Sequence, residues 1–558
     1  MLRTHQNDAL VIAGDPEFGR GLTDIMAAVT PGGGKSSLPV ILGLRAIAMG
    51  LATKICWVVP RDSLKKQAAA AFMDPRFREL LGHRMEIRDS GNDLDPSRGS
   101  FGYATTYHAI GVDPQLHCAE FHRHRYVLVL DELHHVAEGS LWHEALQRLV
   151  DSAVMVIRLS GTLSRDDGKR IAFVRYDDIG DGTHEVQLQS SADYRVIRYT
   201  RAQGLAEKAI LPIYFERVDG AARWRDTKGV EREVGSLVGA GTNGSQAVFS
   251  LLRSDFARDL LRSMIEHWKG YVRENPNAKF LVVAPTIAMC REYLRMLHHL
   301  GVTNVDKATS DDGEGARNID RLKGRVPPAQ RLQGIVTVGM AYEGLDCPEI
   351  THIACLTQVR SAEWLEQMLA RATRVDYAAG PYEEQAAHVW APDDDAFSAA
   401  IKRIREEQAP YVVERDKKAR KAVEMVDEDG PAFEVLEGTS TAARAQDVQT
   451  GAVIESHELG RLKQVQQETG FFQMNLFEIQ KVVDPIGPAA GAKASLTLKE
   501  QERLARKKLH QLAGRKAGGN PKIIIEINTK IRRRFGVPRE NMSVAQLNAA
   551  INFLEQIV

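Results

Sequence analysis

The chain carries AVTPGGGKS at residues 28–36 and YVLVLDELH at residues 126–134, and these two segments determine its architecture. In the first segment, consecutive glycines leave backbone N–H groups free to cradle phosphate oxygens. Lys35 brings a cation to the β- and γ-phosphates, and Ser36 offers a hydroxyl to Mg²⁺. The second segment is an apolar strand that ends in two adjacent carboxylates, where a nucleotide-hydrolysing site needs a metal ligand and a base. Together the two segments predict a site that hydrolyses ATP with Mg²⁺.

Length and composition limit the classes of protein to which the chain can belong. Its 558 residues are too many for one hydrophobic core, so about three or four domains are expected. Lysine plus arginine equal aspartate plus glutamate at 73 each, which excludes a uniformly basic nucleic-acid coat but leaves room for a local basic channel. Five scattered cysteines without a CxxC pair argue against a disulfide framework. No run approaches the roughly 18 apolar residues of a membrane span, and the N-terminus lacks a secretory signal, so we expect a cytoplasmic protein with no membrane partner.

Short apolar runs alternate with helical patterns through the first two thirds of the chain. The runs are ICWVVP (55–60), YVLVLDE (126–132), VMVIRLSGT (154–162), KFLVVAP (279–285), GIVTVGM (334–340), THIACLT (351–357) and AAHVWAP (386–392). Parallel strands that are buried on both faces have such continuous apolar sequences. The runs fall into two groups, and the pattern therefore predicts an α/β fold with two tandem parallel-sheet lobes followed by a mostly helical C-terminal region.

Composition shifts along the chain predict where these parts begin and end. The predicted parts are a first, ATP-binding lobe (1–185), an irregular linker (186–250), a second lobe (251–405), a helical and irregular accessory region (406–484), a linker (485–498) and a basic helical C-terminal domain (499–558). In the last part, Ser543 and Gln546 form a capping-box pattern. The apolar residues Leu547, Ile551 and Leu554 follow at helical spacing.

A third segment, SAEWLEQMLARATR at residues 361–374, supplies positive charge. If it is a helix, Gln367, Arg371 and Arg374 are spaced i, i+4 and i+7 and share one face. Two arginines on one face can neutralise the charge of a transferring phosphoryl group. The plainer interpretation is an ordinary amphipathic surface helix.

These segments and several others, in this order, resemble the motifs of superfamily 2 DExH-type helicases and translocases, of the kind found in restriction-enzyme motor subunits. The matching segments are LRTHQNDAL (2–10), the phosphate loop, VVPRDSLKKQ (58–67), GYATTYHAI (102–110), DELH (131–134), LSGTLSR (159–165), VVAPT (282–286), GMAYEGLDCP (339–348) and QMLARATR (367–374). The resemblance covers about residues 1–395 and implies that both lobes are RecA-like. The chain departs from the usual motifs at Val29, Gly161 and Ala370, none of which removes a charged catalytic group.

The resemblance implies an ATP site between the lobes, with ATP and Mg²⁺ as cofactors. Asp131 and Ser36 would hold the metal, and Glu132 would orient and deprotonate the attacking water. The residues that the resemblance assigns to catalysis are Lys35, Asp131, Glu132, Gln367, Arg371 and Arg374. Those that it assigns to ATP binding are Gln6, which would read adenine, Thr30, Pro31, Gly32, Gly33, Gly34, Lys35, Ser36, Ser37, Gly344 and Asp346.

The resemblance also implies that single-stranded nucleic acid crosses both lobes, DNA being favoured over RNA by analogy with restriction-enzyme motors. The residues matched to backbone contacts are Arg61, Thr105, Thr106, Ser160, Thr162, Thr286 and Thr337. Hydroxyls and N–H groups suit phosphate contacts, which carry no sequence information. For each threonine, the plainer interpretation is a β-branched residue at the end of a strand.

The sequence thus predicts an ATP-dependent DNA helicase or translocase. Two alternatives stay open: an RNA helicase, and an ATP-switched nucleic-acid-binding or recruitment module without processive unwinding. The basic C-terminal region, which includes KIRRRFGVPRE at residues 530–540, favours electrostatic contact with nucleic acid. A docking module for a protein partner is the alternative for this region.

Overall fold

The computed structural model describes most of the chain: residues 2–163, 165, 167–180, 183–226, 228–338, 345–406, 412–413, 434–483, 506, 508–509, 512–513, 516–517, 521–535, 542 and 544–556. The chain forms two compact units. One comprises Met1–Trp268 and Asn277–Val453, and the other comprises Lys269–Pro276 and Ile454–Val558. No helix within the described ranges is long and apolar enough to cross a membrane.

The first lobe is built on a seven-stranded sheet. The first nine strands of the chain are β1 (Asp24–Val29), β2 (Lys54–Val59), β3 (Arg88–Asp89), β4 (Gly102–Thr106), β5 (Tyr126–Asp131), β6 (Met155–Ser160), β7 (Tyr176–Gly180), β8 (Thr183–Val186) and β9 (Tyr194–Tyr199). The sheet order is β3-β4-β2-β5-β6-β1-β9, and all neighbouring strands in it are parallel. Strands β7 and β8 form an antiparallel hairpin outside this sheet.

Both faces of the first sheet are covered by helices. These are α1 (Thr4–Ala13), α2 (Ser37–Ala48), α3 (Asp62–Ala71), α4 (Pro75–Leu81), α5 (Tyr107–Val112), α6 (Pro114–Arg123), α7 (Leu141–Ser152) and α8 (Arg201–Ala206). Alternate residues of β5 enter two different apolar clusters, Val127 and Val129 in one and Leu128 and Leu130 in the other. Since both faces of the strand are buried, its sequence is a continuous apolar run.

The second lobe is built on a mixed sheet. The remaining strands are β10 (Ile213–Arg225), β11 (Glu231–Val234), β12 (Lys279–Val283), β13 (Val305–Ala308), β14 (Gly334–Thr337), β15 (Ile350–Cys355), β16 (Ala387–Pro392), β17 (Val412–Val413), β18 (Glu434–Asp447) and β19 (Val453–Ile454). The sheet order is β13-β14-β12-β15-β16-β10-β18-β19, with β11 also paired to β10. Strands β13 to β10 in this order are parallel, and β18 runs antiparallel to β10. The predicted α/β fold with two parallel-sheet lobes is confirmed, and the antiparallel extension is an addition to it.

Helices occupy most of the remaining described chain. They are α9 (Gly244–Leu252), α10 (Asp255–Val272), α11 (Ile287–His299), α12 (Gly315–Leu322), α13 (Ala362–Leu369), α14 (Asp395–Glu406), α15 (Ser456–Thr469), α16 (Leu476–Val483), α17 (Pro521–Phe535) and α18 (Val544–Gln556). Helix α18 buries Leu547, Ile551 and Leu554 in one cluster, as their spacing predicts. Ser543 of the predicted capping box and the predicted linker 485–498 lie outside the described residues.

The segment 186–250 is a correction to the sequence analysis, which predicts an irregular linker there. It contains β9, which completes the first sheet, and β10, which lies inside the second. Strand β9 is an edge strand that contains Arg195 and Arg198 and is only partly buried, so it lacks a continuous apolar run. The boundary between the lobes therefore falls between β9 and β10.

Candidate active site

The predicted phosphate loop joins β1 to α2. Gly32 and Gly34 adopt φ angles of +82° and +91°, which strongly favour glycine. A Cβ atom on Gly33 would lie 2.8 Å from the carbonyl oxygen of Thr30 and 2.9 Å from Val29 Cγ1. All three glycines are therefore needed for the backbone to take this path.

Arg3 and helix α1, which begins one residue later, form hydrogen bonds that support this loop. The Arg3 guanidinium donates a hydrogen bond to the Gly33 carbonyl oxygen. Gln6 Nε2 donates to Ser37 Oγ at 3.0 Å, and Ser37 Oγ donates to the Gly34 carbonyl oxygen at 2.9 Å. Gln6, predicted to read adenine, thus also supports the loop directly.

Lys35 lies between the two carboxylates of the DELH segment. Its Nζ is 3.2 Å from Asp131 Oδ1 and forms a closer ion pair with Glu132. Burial opposes the charge of Lys35, but Asp131 and Glu132 outweigh burial and raise the pKa of the ammonium group. Burial raises the pKa of Asp131 despite Lys35, whereas at Glu132 the closer Lys35 overcomes burial and lowers the pKa to about 2.

Three groups fix the position of Asp131. The backbone N–H of Glu132 donates to Asp131 Oδ1 at 2.9 Å, and the indole N–H of Trp57 donates to Oδ2 at 3.2 Å. The Tyr107 hydroxyl donates to the Asp131 carbonyl oxygen at 2.8 Å. Glu132 itself has a left-handed φ of 51°, which turns the chain immediately after the carboxylate.

His134 links the DELH segment to the second lobe. Burial lowers its pKa to about 3, so the ring is neutral at pH 7. Its Nε2 lies 3.0 Å from Gln367 Nε2, and its Nδ1 lies 3.2 Å from Ser160 Oγ. With the Gln367 amide as donor, His134 Nε2 accepts and Nδ1–H donates to Ser160. Ser160 in turn donates to the Thr162 carbonyl oxygen, which matches this tautomer.

The arginine segment differs from the predicted single helix. Helix α13 ends at Leu369, and Arg371 and Arg374 lie beyond it. The Arg371 N–H donates to the Met368 carbonyl oxygen at 3.1 Å in a tight turn, and Arg374 then forms a β-bridge with Ile210. The prediction that these residues share a helix face is wrong, because the helix ends at Leu369, before either arginine.

Both arginines still reach the predicted region. Arg371 Nη1 donates to the Leu345 carbonyl oxygen at 3.1 Å. Arg374 forms an ion pair with Asp346, a predicted ATP-binding residue. Burial lowers the pKa of Arg374 to about 10, which leaves it charged at pH 7. Gly344 lies outside the described residues.

One cavity of about 800 Å³ gathers residues from both lobes. The predicted site residues that line it are Gln6, Pro31, Gly32, Gly34, Lys35, Ser36, Ser37, Asp131, Glu132, Asp346, Gln367, Arg371 and Arg374. Thr30 lines a separate, smaller cavity. Five lysine and arginine side chains and four carboxylates thus surround a space of the size that small ligands occupy.

The oxygen ligands in this cavity fit Mg²⁺. Ser36 is exposed and its hydroxyl caps no backbone N–H of α2, while Asp131 Oδ1 faces Lys35. Mg²⁺ is commonly bound by one or two protein oxygens together with phosphate oxygens and water. Among the described residues, no group of three or more His, Cys, Asp or Glu residues could hold a metal without such help.

The predicted nucleic-acid contacts are mostly buried side chains. Arg61 is exposed, but the hydroxyl residues among the seven are buried: Thr105, Thr106, Ser160, Thr162, Thr286 and Thr337. Thr106 and Thr286 cap α5 and α11 by accepting from backbone N–H groups. These hydroxyls are therefore enclosed by the protein itself, and a role for them in nucleic-acid binding stays a prediction.

Three residues of the site are missing from the sequence predictions. Arg3, Trp57 and Tyr107 touch the phosphate loop or Asp131. Trp57 lies within an apolar run and Tyr107 follows a strand, so both resemble ordinary core residues in the sequence. Only their placement next to Asp131, which depends on sheet order, distinguishes them.

Comparison with known proteins shows which families and proteins this chain resembles. Residues 1–165 match the family model described as the type III restriction enzyme, res subunit. A Mycobacterium tuberculosis protein described as uncharacterized is 27% identical over 385 residues, which cover 67% of this chain and 59% of that protein. The endonuclease subunit of the Escherichia coli type I restriction enzyme EcoKI is 25% identical over 409 residues, covering 67% of this chain and 33% of the subunit. The chain thus spans about three fifths of the mycobacterial relative's length and one third of the EcoKI subunit's.

Among solved structures, the Mycobacterium smegmatis helicase Lhr bound to ssDNA and AMP-PNP aligns with a TM-score of 0.44 and 13% identity, covering 73% of this chain and 48% of that one. The resemblance to restriction-enzyme motors is confirmed by the family match, which includes the phosphate loop and DELH. Residues 1–165 are therefore similar to the res subunits of type III restriction enzymes.

Proposed function

We propose that the chain is an ATP hydrolase that couples turnover to movement on nucleic acid, as a DNA helicase or translocase. The observation that carries the proposal is the single cavity lined by Lys35 and Glu132 from the first lobe and by Arg371 and Arg374 from the second. A site completed by two lobes can link nucleotide turnover to a change in the angle between them.

The chemistry would begin with an exchange of partners at Lys35. In the structure, Lys35 is paired with Asp131 and Glu132. The phosphates of ATP are a stronger attraction for the ammonium group, and backbone N–H groups of the loop would hold the same oxygens. Glu132, released from its cation, would orient the attacking water and accept its proton. Ser36 and Asp131 would hold Mg²⁺, which would neutralise charge on the β- and γ-phosphates.

The second lobe would supply positive charge in the transition state. Arg371 and Arg374 are the cations from that lobe that line the cavity. They would stabilise negative charge on the transferred phosphoryl group, as arginine fingers do. The neutral His134 makes its contact with Gln367 without adding charge next to Glu132. This hydrogen bond would therefore form or break as the second lobe changes position.

The preference for DNA rests on the family. The matched family and the EcoKI relative are restriction-enzyme subunits. This association favours DNA over RNA as the nucleic acid along which the chain would move. The second candidate function is an ATP-switched clamp that binds nucleic acid without processive motion, which could use the same two-lobed cavity.

Measurement of ATP turnover with no nucleic acid, single-stranded DNA, duplex DNA and RNA separates these functions. We expect DNA to stimulate turnover most strongly. Greater stimulation by RNA would indicate an RNA helicase. Stimulation by DNA without strand displacement or translocation would indicate the clamp, and stimulation by none of them would refute the motor proposal.

Glu132→Gln tests the assignment of the base. The amide keeps the size of the side chain but cannot accept a proton from water, so we expect ATP binding to persist and hydrolysis to fall by at least about 100-fold. Binding is measured with a fluorescent ATP analogue and hydrolysis by phosphate release. Glu86→Gln is a control, because that carboxylate pairs with Arg78 away from the cavity. If Glu132→Gln hydrolyses ATP normally, Glu132 is not the base.

A further inference from the structure

Trp57 makes an unusual hydrogen bond for a core residue. It lies in β2, is 1% exposed and packs edge-on against Phe72. A buried indole N–H needs an acceptor, and elsewhere in the chain Trp268 uses the carbonyl oxygen of Ala278 at 3.0 Å. Trp57 instead donates to the Asp131 carboxylate, at 3.2 Å from Oδ2.

The two oxygens of Asp131 have different surroundings. Oδ1 accepts from the Glu132 N–H at 2.9 Å and lies 3.2 Å from Lys35 Nζ. Oδ2 is the oxygen held by Trp57. When Lys35 turns to the phosphates of a nucleotide, Oδ1 loses a cation, while the bond from Trp57 to Oδ2 can stay in place.

We propose that Trp57 is a positioning residue for Mg²⁺ binding. Its indole N–H fixes the plane of the Asp131 carboxylate, so that Oδ1 stays directed into the cavity and available to the metal. The proposal rests on the proposed nucleotide site and adds to it a residue that acts on the metal through Asp131. Groups that orient a metal ligand in this way are commonly worth 10- to 100-fold in metal affinity.

The alternative is that Trp57 only fills space in the core. Phe72 and the neighbouring apolar residues would then matter, and the N–H would not. Replacement by phenylalanine separates the two roles, because it keeps an aromatic ring and removes the donor. Trp268→Phe is the matched control, since it also removes a buried indole donor but lies outside the cavity residues.

The experiment measures ADP binding by calorimetry in the full-length protein, with and without a series of Mg²⁺ concentrations. We expect Trp57→Phe to raise the half-saturating Mg²⁺ concentration at least about tenfold and to leave metal-free ADP binding unchanged. Trp268→Phe should keep the wild-type values. Equal Mg²⁺ dependence in the two variants would overturn the positioning role, and loss of metal-free ADP binding in Trp57→Phe would show a packing role instead.

A second measurement does not depend on the folding of the Trp57 variant. Wild-type protein labelled with ¹⁵N at its six tryptophans has indole N–H signals that can be assigned by single replacements of the other five. The Trp57 signal should shift when Mg²⁺ is added to the ADP complex, and an unchanged signal would overturn the proposal. If wild-type protein binds no ADP at all, the proposed nucleotide site fails, which is a different outcome.

Discussion

Each lobe carries a cluster of buried ion pairs near the carboxyl ends of its parallel strands, and the two clusters differ in what lies beside them. In the first lobe, Lys35 pairs with Asp131 and Glu132, and all three residues line an open cavity. In the second, Asp393 lies between Arg217 and Arg444, and the Asp393 side chain is only 4% exposed.

The second cluster is a structural one. Asp393 Oδ1 accepts from Arg217 Nε at 2.9 Å and from Arg444 Nη2 at 2.9 Å. These residues come from β10, from β18 and from the end of β16, so the carboxylate ties the antiparallel extension to the parallel part of the sheet. The comparison shows that similar ion pairs border a cavity in one lobe and join strands of the sheet in the other.

The largest expected effect is the loss of ATP turnover when Lys35 is removed from the first cluster. Lys35→Ala should lower ATP turnover by at least about 10³-fold, because the phosphates lose their cation, and should leave the melting temperature nearly unchanged. Lys65→Ala is the control, since Lys65 also pairs with two carboxylates, Asp62 and Asp89, but outside the cavity. Phosphate release and thermal unfolding are the measurements, and near-normal hydrolysis by Lys35→Ala would refute the site.

Removal of the central carboxylate of the second lobe should have the opposite effect: a large loss of stability and little change in ATP binding. Asp393→Asn should lower the free energy of unfolding by about 3–5 kcal/mol, because Arg217 and Arg444 lose the buried charge that compensates them. Residual folded protein should still bind ATP. Urea unfolding measures the loss. The exposed pair of Arg223 and Glu437 supplies the control, and Glu437→Gln should cost roughly 0–1 kcal/mol.

The smallest expected effect is at the contact between the lobes. Gln367→Ala removes the hydrogen bond to His134 and should lower turnover about tenfold at saturating ATP, with ATP affinity little changed. Steady-state kinetics separate the two effects. Gln147→Ala, which removes an exposed hydrogen bond to Asp151 on α7, should change neither. If Gln367→Ala weakens ATP binding without lowering maximal turnover, the contact serves binding instead of coupling between the lobes.

The parts of the fold that the sequence predicts share strong local patterns. The central strands of both lobes are apolar throughout because both faces are covered, and the glycines of the phosphate loop have positions that only such a loop explains. Lys35, Asp131 and Glu132 could be located on this basis. Their mutual distances follow from parallel strand order, which places the carboxyl ends of β1 and β5 at one edge of the sheet.

The parts that could not be predicted depend on distant partners. Strand β18 has few large apolar residues, since much of it is exposed, and it becomes a strand by pairing with β10 more than 200 residues earlier. Helix α13 ends at Leu369, and Arg374 pairs with the distant Ile210. In the same way, three consecutive aspartates suggest a solvated loop, whereas Asp393 and Asp394 are buried among arginines from other elements.

The short connection between the lobes has a mechanical consequence. At its start, the Tyr199 carbonyl oxygen accepts from the N–H of Thr30 in the phosphate loop at 2.8 Å. At its end, the Leu211 N–H donates to the carbonyl oxygen of Thr373 at 2.7 Å, next to Arg374. The crossing segment is thus fastened to the phosphate-binding side at one end and to the arginine-bearing side at the other. Any rotation of one lobe against the other would have to bend the residues between these two attachments.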